Sequence, residues 1–248
     1  MKAQGDQQIQ PGILLIDKPR GPTSFFVVRQ VRRILGIKKV GHAGTLDPFA
    51  SGLLVICVGR PATRLSETLM NGTKQYVATL QLGVETDTQD PEGRVIATTA
   101  VPQLDVTEIN DCLRGFLGRQ LQVPPQFSAL KHKGKPLYYY ARRGIVVEKE
   151  AREITIQKID LKDYTPAKAQ LTVTIVCSRG TYIRTLAADI GRALGCGAHL
   201  AALRRLRSGT FSVEESFPGG RLEQARAAEL ADAMLPVFQV QEMLTEKV

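Results

Sequence analysis

Residues 41–54 read Gly-His-Ala-Gly-Thr-Leu-Asp-Pro-Phe-Ala-Ser-Gly-Leu-Leu and carry one carboxylate, Asp47. Pro48 disfavours helix at the aspartate before it, and glycines such as Gly44 permit tight or left-handed turns. The apolar run Leu53–Val58 follows, which predicts a buried strand. The stretch therefore predicts a carboxylate on a shaped loop, a place where catalytic groups are often presented. From residue types alone, an ordinary Asp-Pro turn that only begins a strand explains it as well.

Hydrophobic periodicity on either side of this stretch predicts strands that interleave with helices. The predicted strands are Ile13–Ile16, Leu53–Val58, Tyr76–Leu82, Glu153–Leu161, Gln170–Cys177 and Ser208–Val213. One helix is predicted from the caps Thr23 and Ser24 to Gly36, and another from the cap Thr107 with its apolar stripe Ile109–Leu117. The other predicted helices are Thr63–Met70, Leu137–Arg142, Tyr182–Leu194 and Arg221–Met234. Because no regular strand–helix–strand repeat appears, we predict a mixed α/β (α+β) fold.

The charge balance of the chain favours a polyanionic partner. Its 248 residues include 33 Lys and Arg against 24 Asp and Glu, a formal charge of +9. Such an excess favours phosphate-rich ligands, because neutralising phosphates releases counterions. It does not separate RNA from DNA or from an anionic membrane surface. Basic residues cluster at Arg29–Lys39 and Arg204–Arg207, among other places, and solvated charged faces are the simplest explanation of any one cluster.

Cysteine usage and the absence of long apolar runs indicate a cytoplasmic protein. The four cysteines show no Cys-x-x-Cys spacing and no paired histidines nearby, so we expect reduced thiols, no metal site and no cofactor. No run approaches the length of a membrane-spanning helix, and we expect no membrane partner. The start of the chain is polar, so residues 1–10 are expected to be a flexible N-terminus.

Five segments together resemble the bacterial tRNA pseudouridine-55 synthases of the TruB type. They are Gly12–Ser24, Gly41–Leu54, Lys74–Leu82, Arg179–Leu186 and Gly195–Leu206, and the likeness is collinear from about residue 11 to residue 214. The resemblance implies the pseudouridine-synthase fold, with a largely antiparallel central sheet flanked by helices and an RNA-gripping insertion at about 123–144. It implies a catalytic domain over 11–248, and the family's small C-terminal RNA-binding domain is expected to be absent or truncated.

The resemblance also implies a reaction and its catalytic residues. The family isomerises uridine 55 in the T-loop of tRNA to pseudouridine, after flipping the base out of its stack. By carry-over, Asp47 is the nucleophile, Arg184 pairs with Asp47, and Tyr76 stacks on the target base and moves a proton. From residue types alone, Tyr76 would be a core side chain, and Arg184 a solvated helix arginine that contacts phosphate.

Five further residues are expected to bind substrate. His42 matches the family histidine that fills the space vacated by the flipped base, although a histidine that caps the turn is an alternative. Tyr182 and Leu203 match positions that line the uridine pocket, and as isolated residues both would belong to the core. Asp90 is expected to contact the target nucleotide or its neighbours, and Lys18 to bind phosphate.

Two other functions are compatible with the sequence. One is a guide-RNA-dependent pseudouridine synthase, whose motif is closely similar. The other is a tRNA-binding folding module in which catalysis is incidental. The insertion at 123–144 favours the stand-alone bacterial type, which is expected to act on the T-arm of tRNA as a monomer and without a protein partner.

Overall fold

The computed structural model describes residues 9–245. The predicted flexible N-terminus, 1–10, falls almost entirely outside these residues. The chain forms two compact units, one made of Thr73–Leu203 and the other of the residues before and after that segment. The single catalytic domain over 11–248, and the absence or truncation of a C-terminal RNA-binding domain, stay predictions.

The strands follow one another along the chain, several of them separated by helices. They are β1 (Gly12–Lys18), β2 (Val40–Ala43), β3 (Ser51–Val58), β4 (Lys74–Leu82), β5 (Val84–Thr86), β6 (Val95–Thr98), β7 (Gly118–Gln122), β8 (Lys131–His132), β9 (Lys135–Pro136), β10 (Arg152–Thr165), β11 (Gln170–Cys177), β12 (Ala198–Ser208), β13 (Phe211–Ser212), β14 (Phe217–Pro218) and β15 (Met234–Pro236).

The helices are α1 (Ser24–Leu35), α2 (Gly59–Arg64), α3 (Ser66–Asn71), α4 (Val106–Arg114), α5 (Leu137–Ala141), α6 (Ile183–Ala193), α7 (Ala227–Asp232) and α8 (Val237–Thr245). Short 3₁₀ turns occur at Pro166–Lys168, Val213–Glu215 and Gly219–Arg221. No helix within residues 9–245 is both long enough and apolar enough to cross a membrane.

Strand β3 is the centre of the first unit. It pairs antiparallel with β1 and with β2, and parallel with the end of β12, where Arg205 lies opposite Gly52. Its side chains are buried on both faces. Leu54 and Ile56 join a cluster with helix α1, whereas Leu53 and Val55 join a second cluster. Burial on both faces explains why this strand reads as a continuous apolar run, and the predicted strand is confirmed.

Helix α1 packs against this sheet and begins and ends where the sequence predicted. The hydroxyl of Thr23 accepts from the amide of Phe26 at 3.0 Å and so caps the first turn. Gly36 ends the helix with φ +66°, a left-handed conformation that suits glycine. One face of the helix is buried in the cluster with β1 and β3.

The second unit contains an antiparallel sheet in the order β4–β11–β10–β7. Strand β4 alternates strictly, with Tyr76, Ala78 and Leu80 buried on one face, which confirms the predicted strand Tyr76–Leu82. Strand β11 has the predicted bounds. The insertion at 123–144 carries β8, β9 and the short helix α5. The fold class is mixed α/β with mostly antiparallel strands, as predicted.

Three predicted helices have different bounds in the structure. The helix predicted from the cap Thr107 is capped two residues earlier, because Asp105 forms a reciprocal capping box with Glu108. The segment Thr63–Met70 is divided between α2 and α3. The predicted helix Arg221–Met234 is reduced to α7. A 3₁₀ turn at Gly219–Arg221 precedes it, and at the other end Met234 pairs with β1 as part of β15.

The late strand predicted at Ser208–Val213 is wrong. The long strand β12 ends at Ser208, and a turn at Gly209 leads into the two-residue strand β13. The sequence pattern does not indicate a strand over Ala198–Arg207, because the polar side chains of β12 break the apolar alternation. Pairing with β3 and β13 holds this segment extended.

Candidate active site

Asp47 lies in the loop that joins the antiparallel strands β2 and β3. The amide of Ala50 donates to the carbonyl oxygen of Asp47 at 3.1 Å and closes a tight turn. Pro48 takes the second position of this turn, which suits its fixed φ. Phe49 and Ala50 are buried, whereas Asp47 is half-buried. The structure therefore confirms a shaped loop before a buried strand, with the aspartate at its partly exposed side.

Lys18 fastens this loop from the end of β1. Its ammonium nitrogen donates to the carbonyl oxygens of Pro19, Pro22 and Pro48 at 2.9, 2.8 and 3.2 Å. The side chain is fully buried, at 0 % exposure. The expectation that Lys18 binds phosphate does not fit this position, since a buried ammonium that already bonds three carbonyls offers no surface to a phosphate. Lys18 positions the Asp47 loop.

Two further side chains hold the same loop. The Ser24 hydroxyl donates to the carbonyl of Leu46 at 2.8 Å and accepts from its amide at 2.9 Å. Arg20 donates through Nε to the carbonyl of Phe49 at 3.2 Å. Both belong to the segment that leads into helix α1, so the first turn of α1 and the Asp47 loop are fixed to each other.

Arg205, which sequence reasoning missed as a site residue, supports the loop from β12. Its guanidinium donates to the carbonyl oxygens of Leu53, Gly44 and Thr45 at 2.7, 3.1 and 3.4 Å. The side chain is 2 % exposed, so the expectation of a solvated charged face at Arg204–Arg207 is wrong for this residue. The only signal in the sequence that could have identified Arg205 is its position inside the motif segment Gly195–Leu206.

Gly52 lets β12 approach the loop closely. A Cβ on Gly52 would lie 2.2 Å from the carbonyl oxygen of Arg205, and its φ is +101°. Both the contact and the backbone angle exclude larger residues without a shift. The glycine in the motif therefore serves the pairing that brings Arg205 to the loop.

His42 lies on β2, directly before the loop, and is half-buried. Its Nδ1 atom is buried and has no hydrogen-bond partner in the described part of the chain. Burial lowers the pKa of the imidazole, and the nearby positive charge of Arg205 lowers it further. His42 is therefore neutral at physiological pH, and its ring presents a flat, weakly polar surface.

In the second unit, Arg184 and Asp90 form a buried ion pair. Nη1 of Arg184 lies 3.0 Å from Oδ2 of Asp90, and the two side chains are 5 % and 6 % exposed. The same nitrogen donates to the carbonyl of Thr88 at 3.0 Å, and Nη2 donates to that of Phe127 at 2.8 Å. The guanidinium of Arg184 is thus fixed by the loop after β5 and by the start of the insertion.

The loop that carries Asp90 is itself well bonded. Oδ1 of Asp90 accepts from the hydroxyl of Thr88 at 2.6 Å and from the amide of Glu92 at 3.0 Å. Gln89 adopts a left-handed φ of 62°, unusual for a residue other than glycine, and its side chain accepts from Thr185 at 3.2 Å. The structure gives Asp90 the role of positioning Arg184, while its expected contact with a nucleotide stays a prediction.

Tyr182 precedes helix α6, and Gln122 fixes its backbone. The Gln122 amide group accepts from the Tyr182 amide at 2.8 Å and donates to the Tyr182 carbonyl at 3.1 Å. This reciprocal pair anchors the start of the helix that carries Arg184. Gln122 is 5 % exposed and ends the strand β7, and nothing in the sequence identified it.

Tyr76 and Leu203 lie on strands and are nearly buried, each at 8 % exposure. Tyr76 sits opposite Ile175 of the neighbouring strand β11. The side chain of Tyr182 is half-buried. Asp47 belongs to the first unit and Tyr76 and Arg184 to the second, so the expected approach of Asp47 to these two residues stays a prediction.

The candidate residues carry carboxylate, guanidinium and aromatic groups. Within residues 9–245, no group of three or more His, Cys, Asp or Glu side chains could hold a metal ion. A half-buried carboxylate on a fixed loop can act as a nucleophile or stabilise positive charge. A buried, fixed guanidinium can orient a carboxylate through paired hydrogen bonds, and tyrosine can stack on a base.

The chain is similar to known proteins over most of its length. Residues 32–183 match the N-terminal domain of the TruB family pseudouridylate synthases, and residues 184–240 match the tRNA pseudouridylate synthase B C-terminal domain. The tRNA pseudouridine synthase B of Desulfotalea psychrophila is 60 % identical over 217 residues, which are 85 % of this chain and 87 % of that protein. The protein of the same name from Aromatoleum aromaticum is 47 % identical over 231 residues, 93 % of this chain and 74 % of its own length.

Solved structures extend the likeness to the fold. A chain in the crystal structure of a Cbf5-Nop10-Gar1 complex superposes with a TM-score of 0.70 and 29 % identity over 94 % of this chain. A chain in the structure of an H/ACA RNP bound to a substrate RNA containing 2'-deoxyuridine gives 0.67 and 27 %. This chain spans 62 % of the length of each of those chains. From the two matched domains and the shared identity, the chain belongs to the TruB family of pseudouridylate synthases.

Proposed function

We propose that this protein isomerises uridine 55 in the T-loop of tRNA to pseudouridine. The observation that carries the proposal is the Asp47 loop. Buried Lys18 and Arg205, together with Ser24, donate hydrogen bonds to carbonyl oxygens of this loop, and the aspartate is half-buried. Relatives named tRNA pseudouridine synthase B support the choice of tRNA.

The isomerisation breaks the C1′–N1 bond of uridine and forms a C1′–C5 bond. C5 gives up its proton and N1 gains one, so the product is an isomer and no other reactant is needed. Asp47 is proposed to act at C1′, either by forming a covalent bond or by stabilising the charge that develops there. The rigid loop favours this role because a small displacement of a reacting group is costly to the rate.

Arg184 is proposed to pair with the Asp47 carboxylate when substrate is bound. Its contacts with Asp90 and two carbonyls support this role, since they hold the guanidinium in one orientation. Tyr76 is proposed to stack on the detached base and to move a proton. Base–aromatic stacking contributes about 1–3 kcal/mol per base, enough to keep the uracil in place while it turns.

The target uridine must leave the stack of the tRNA arm before reaction. His42 is proposed to occupy the vacated space. Its neutral imidazole, whose Nδ1 has no hydrogen-bond partner within residues 9–245, supports insertion among bases. Tyr182 and Leu203 are proposed to line the uridine pocket, and Asp90 to contact a nucleotide. We also propose that the protein acts in the cytoplasm as a monomer, with no cofactor and no partner protein.

The direct test is incubation of the purified protein with an unmodified tRNA transcript, followed by mapping of pseudouridine. We expect modification at position 55 only. Asp47→Asn is expected to abolish tritium release from C5-labelled uridine while tRNA binding persists. Turnover by this variant would remove the nucleophile assignment, and pseudouridine at another position would refute the T-loop target.

The same experiment separates the two alternative functions. Solved chains in H/ACA complexes share the fold. A requirement for a guide RNA would therefore show as inactivity until such an RNA is added. A folding module would instead refold misfolded tRNA equally well with Asp47→Asn and with the wild-type protein. Activity on the transcript with the protein alone excludes the first alternative.

A further inference from the structure

Helix α1 exposes two adjacent aromatic side chains on its first turn. Phe25 is 55 % exposed and Phe26 is 37 % exposed. The opposite face of the helix is buried in the core, with Val27 and Val31 at 1 % and 0 % exposure. The helix is therefore anchored by its buried face, and the two phenylalanines lie on its exposed side.

Arginine side chains lie over both rings. The guanidinium carbon of Arg29 is 5.8 Å from the ring centre of Phe25 and 5.5 Å from that of Phe26. The guanidinium carbon of Arg32 lies 5.5 Å from the Phe25 ring. Flat rings alternating with guanidinium planes form a surface on which unpaired bases can stack, because both groups offer planar faces.

The charge around these rings is positive. Between residues 18 and 46 the chain contains no Asp or Glu. Arg29, Arg33, Lys38 and Lys39 are exposed, and no ion pair joins them to a carboxylate of residues 9–245. Their charge is available to an anionic partner, and the density of cations suits a phosphate backbone.

The exposed rings also adjoin the Asp47 loop. Ser24, the residue before Phe25, makes two hydrogen bonds to the backbone of Leu46, one residue before Asp47. Any polymer that brings one nucleotide to Asp47 therefore has neighbouring nucleotides within reach of the first turn of α1. This continuity favours RNA over a membrane surface, to which exposed phenylalanines and basic residues would also bind.

We propose that Phe25, Phe26, Arg29 and Arg33, termed the α1 patch, form a second RNA-binding surface. The phenylalanines stack on unpaired bases beside the flipped nucleotide, and the arginines contact the adjoining phosphates. The identity of the RNA as tRNA rests on the proposed function, whereas the surface itself rests on exposure, charge and the bonds between Ser24 and Leu46.

The first test removes the rings or the charges separately. Phe25→Ala with Phe26→Ala should raise the Kd for tRNA about tenfold or more, the loss expected for one stacked base, and the effect on turnover should appear in KM more than in kcat. Arg29→Gln with Arg33→Gln should lower the slope of log Kd against log salt concentration by about 1.4, for two contacts to single-stranded RNA.

Matched controls lie in the same unit. Phe238→Ala removes a phenylalanine that is 66 % exposed on α8. Arg221→Gln removes an arginine whose guanidinium carbon lies 5.8 Å from the ring of Phe217. Both variants should bind tRNA as the wild-type protein does. Equal losses from patch and control variants, or no loss from the patch variants, would overturn the proposal.

A fluorescent probe reports stacking directly. The chain contains no tryptophan, so Phe25→Trp introduces a single indole into the patch and Phe238→Trp introduces one elsewhere. Quenching by tRNA is expected for the first variant and not for the second. Absence of quenching at position 25 would contradict base stacking there.

The outcomes also separate this proposal from its alternatives. Binding measurements need no turnover, so a wild-type protein that binds tRNA but forms no pseudouridine would refute the proposed function and still test the patch. Vesicles of phosphatidylserine and phosphatidylcholine test the membrane alternative. Vesicle binding that depends on Phe25 and Phe26, with an unchanged Kd for tRNA in the double variant, would overturn the RNA-binding proposal.

Discussion

The guanidinium of Arg184 and the carboxylate of Asp90 lie 3.0 Å apart, and both side chains are almost entirely buried. Each charge is stabilised by the other, because an unpaired charge in the protein interior is strongly unfavourable. The pair also connects the loop after β5 to the start of α6. The guanidinium of Arg184 is therefore held in one orientation.

Replacing Asp90 by asparagine should destabilise the protein and impair catalysis together. Removing one partner of a buried pair costs about 3–5 kcal/mol, and asparagine retains part of the hydrogen bonding, so we expect a loss near the lower end. The single-turnover rate should fall at least about tenfold, because a displaced Arg184 orients its partner poorly. Urea unfolding and rapid-quench kinetics measure the two effects.

Asp87→Asn is the matched control for this change. Asp87 lies in the same loop and pairs with Arg94, whose side chain is 92 % exposed. Exposed pairs contribute about 0–1 kcal/mol, so stability and rate should stay close to the wild-type values. If Asp90→Asn behaved like this control, the buried pair would have no positioning role.

Arg205→Lys should loosen the Asp47 loop. Lysine carries one ammonium in place of the fork that reaches Leu53, Gly44 and Thr45, so at least one buried carbonyl loses its donor. Each such loss costs about 1–3 kcal/mol. We expect the variant to have a lower free energy of unfolding and to remain folded at 25 °C. At that temperature its kcat should be lower than partial unfolding would explain.

Arg204→Lys provides the comparison for this variant. Arg204 is the neighbouring arginine on β12, and its pair with Asp17 is 41 % and 32 % exposed. Its two hydrogen bonds to Asp17, at 2.9 and 2.8 Å, are partly exposed to solvent, so its replacement should cost less stability than that of buried Arg205. Similar kcat values for the two variants would show that Arg205 does not position the loop.

Stability should depend on pH through His42. Its pKa is lowered in the folded protein by burial and by Arg205, so below about pH 6.5 the unfolded chain binds the proton first. His42 therefore lowers the free energy of unfolding as the pH falls from about 6.5 towards the pKa of His42 in the folded protein. Above that range, His42 does not make the stability depend on pH. The free energy of unfolding, measured with urea, should fall less between pH 7.5 and pH 5.5 in His42→Gln than in the wild-type protein. Equal losses in both proteins would contradict a neutral, buried imidazole.

Tyr76→Phe should separate stacking from proton transfer. The ring is retained, so tRNA binding should persist, whereas loss of the hydroxyl should slow the single-turnover rate about 100-fold or more if it moves a proton. Tyr164→Phe, on β10 and outside the proposed site, is the control. A rate that matches the wild-type value would exclude an acid–base role for Tyr76 and leave stacking as its only task.

Local patterns were sufficient for part of the fold. Helix α1 is fixed by a capping threonine, a glycine after its last turn and a helical apolar stripe, all visible within residues 23–36. Strands β4 and β11 show strict alternation, because each buries one face. The Ala-rich segment Arg221–Met234 has a high helix propensity throughout, but pairing of Met234 with β1 limits the helix to α7.

The sequence alone determined the family motifs, the candidate nucleophile Asp47 and the elements whose periodicity is local. Only the tertiary structure decided that Lys18 and Arg205 are buried and hold that loop, because their partners include Pro48, thirty residues from Lys18, and Gly44, 161 residues from Arg205. The identity of a basic residue does not show whether its side chain is solvated or is buried and bonded to backbone carbonyl oxygens. Its role depends on which carbonyl oxygens the folded backbone brings to its donors, and no local pattern specifies those.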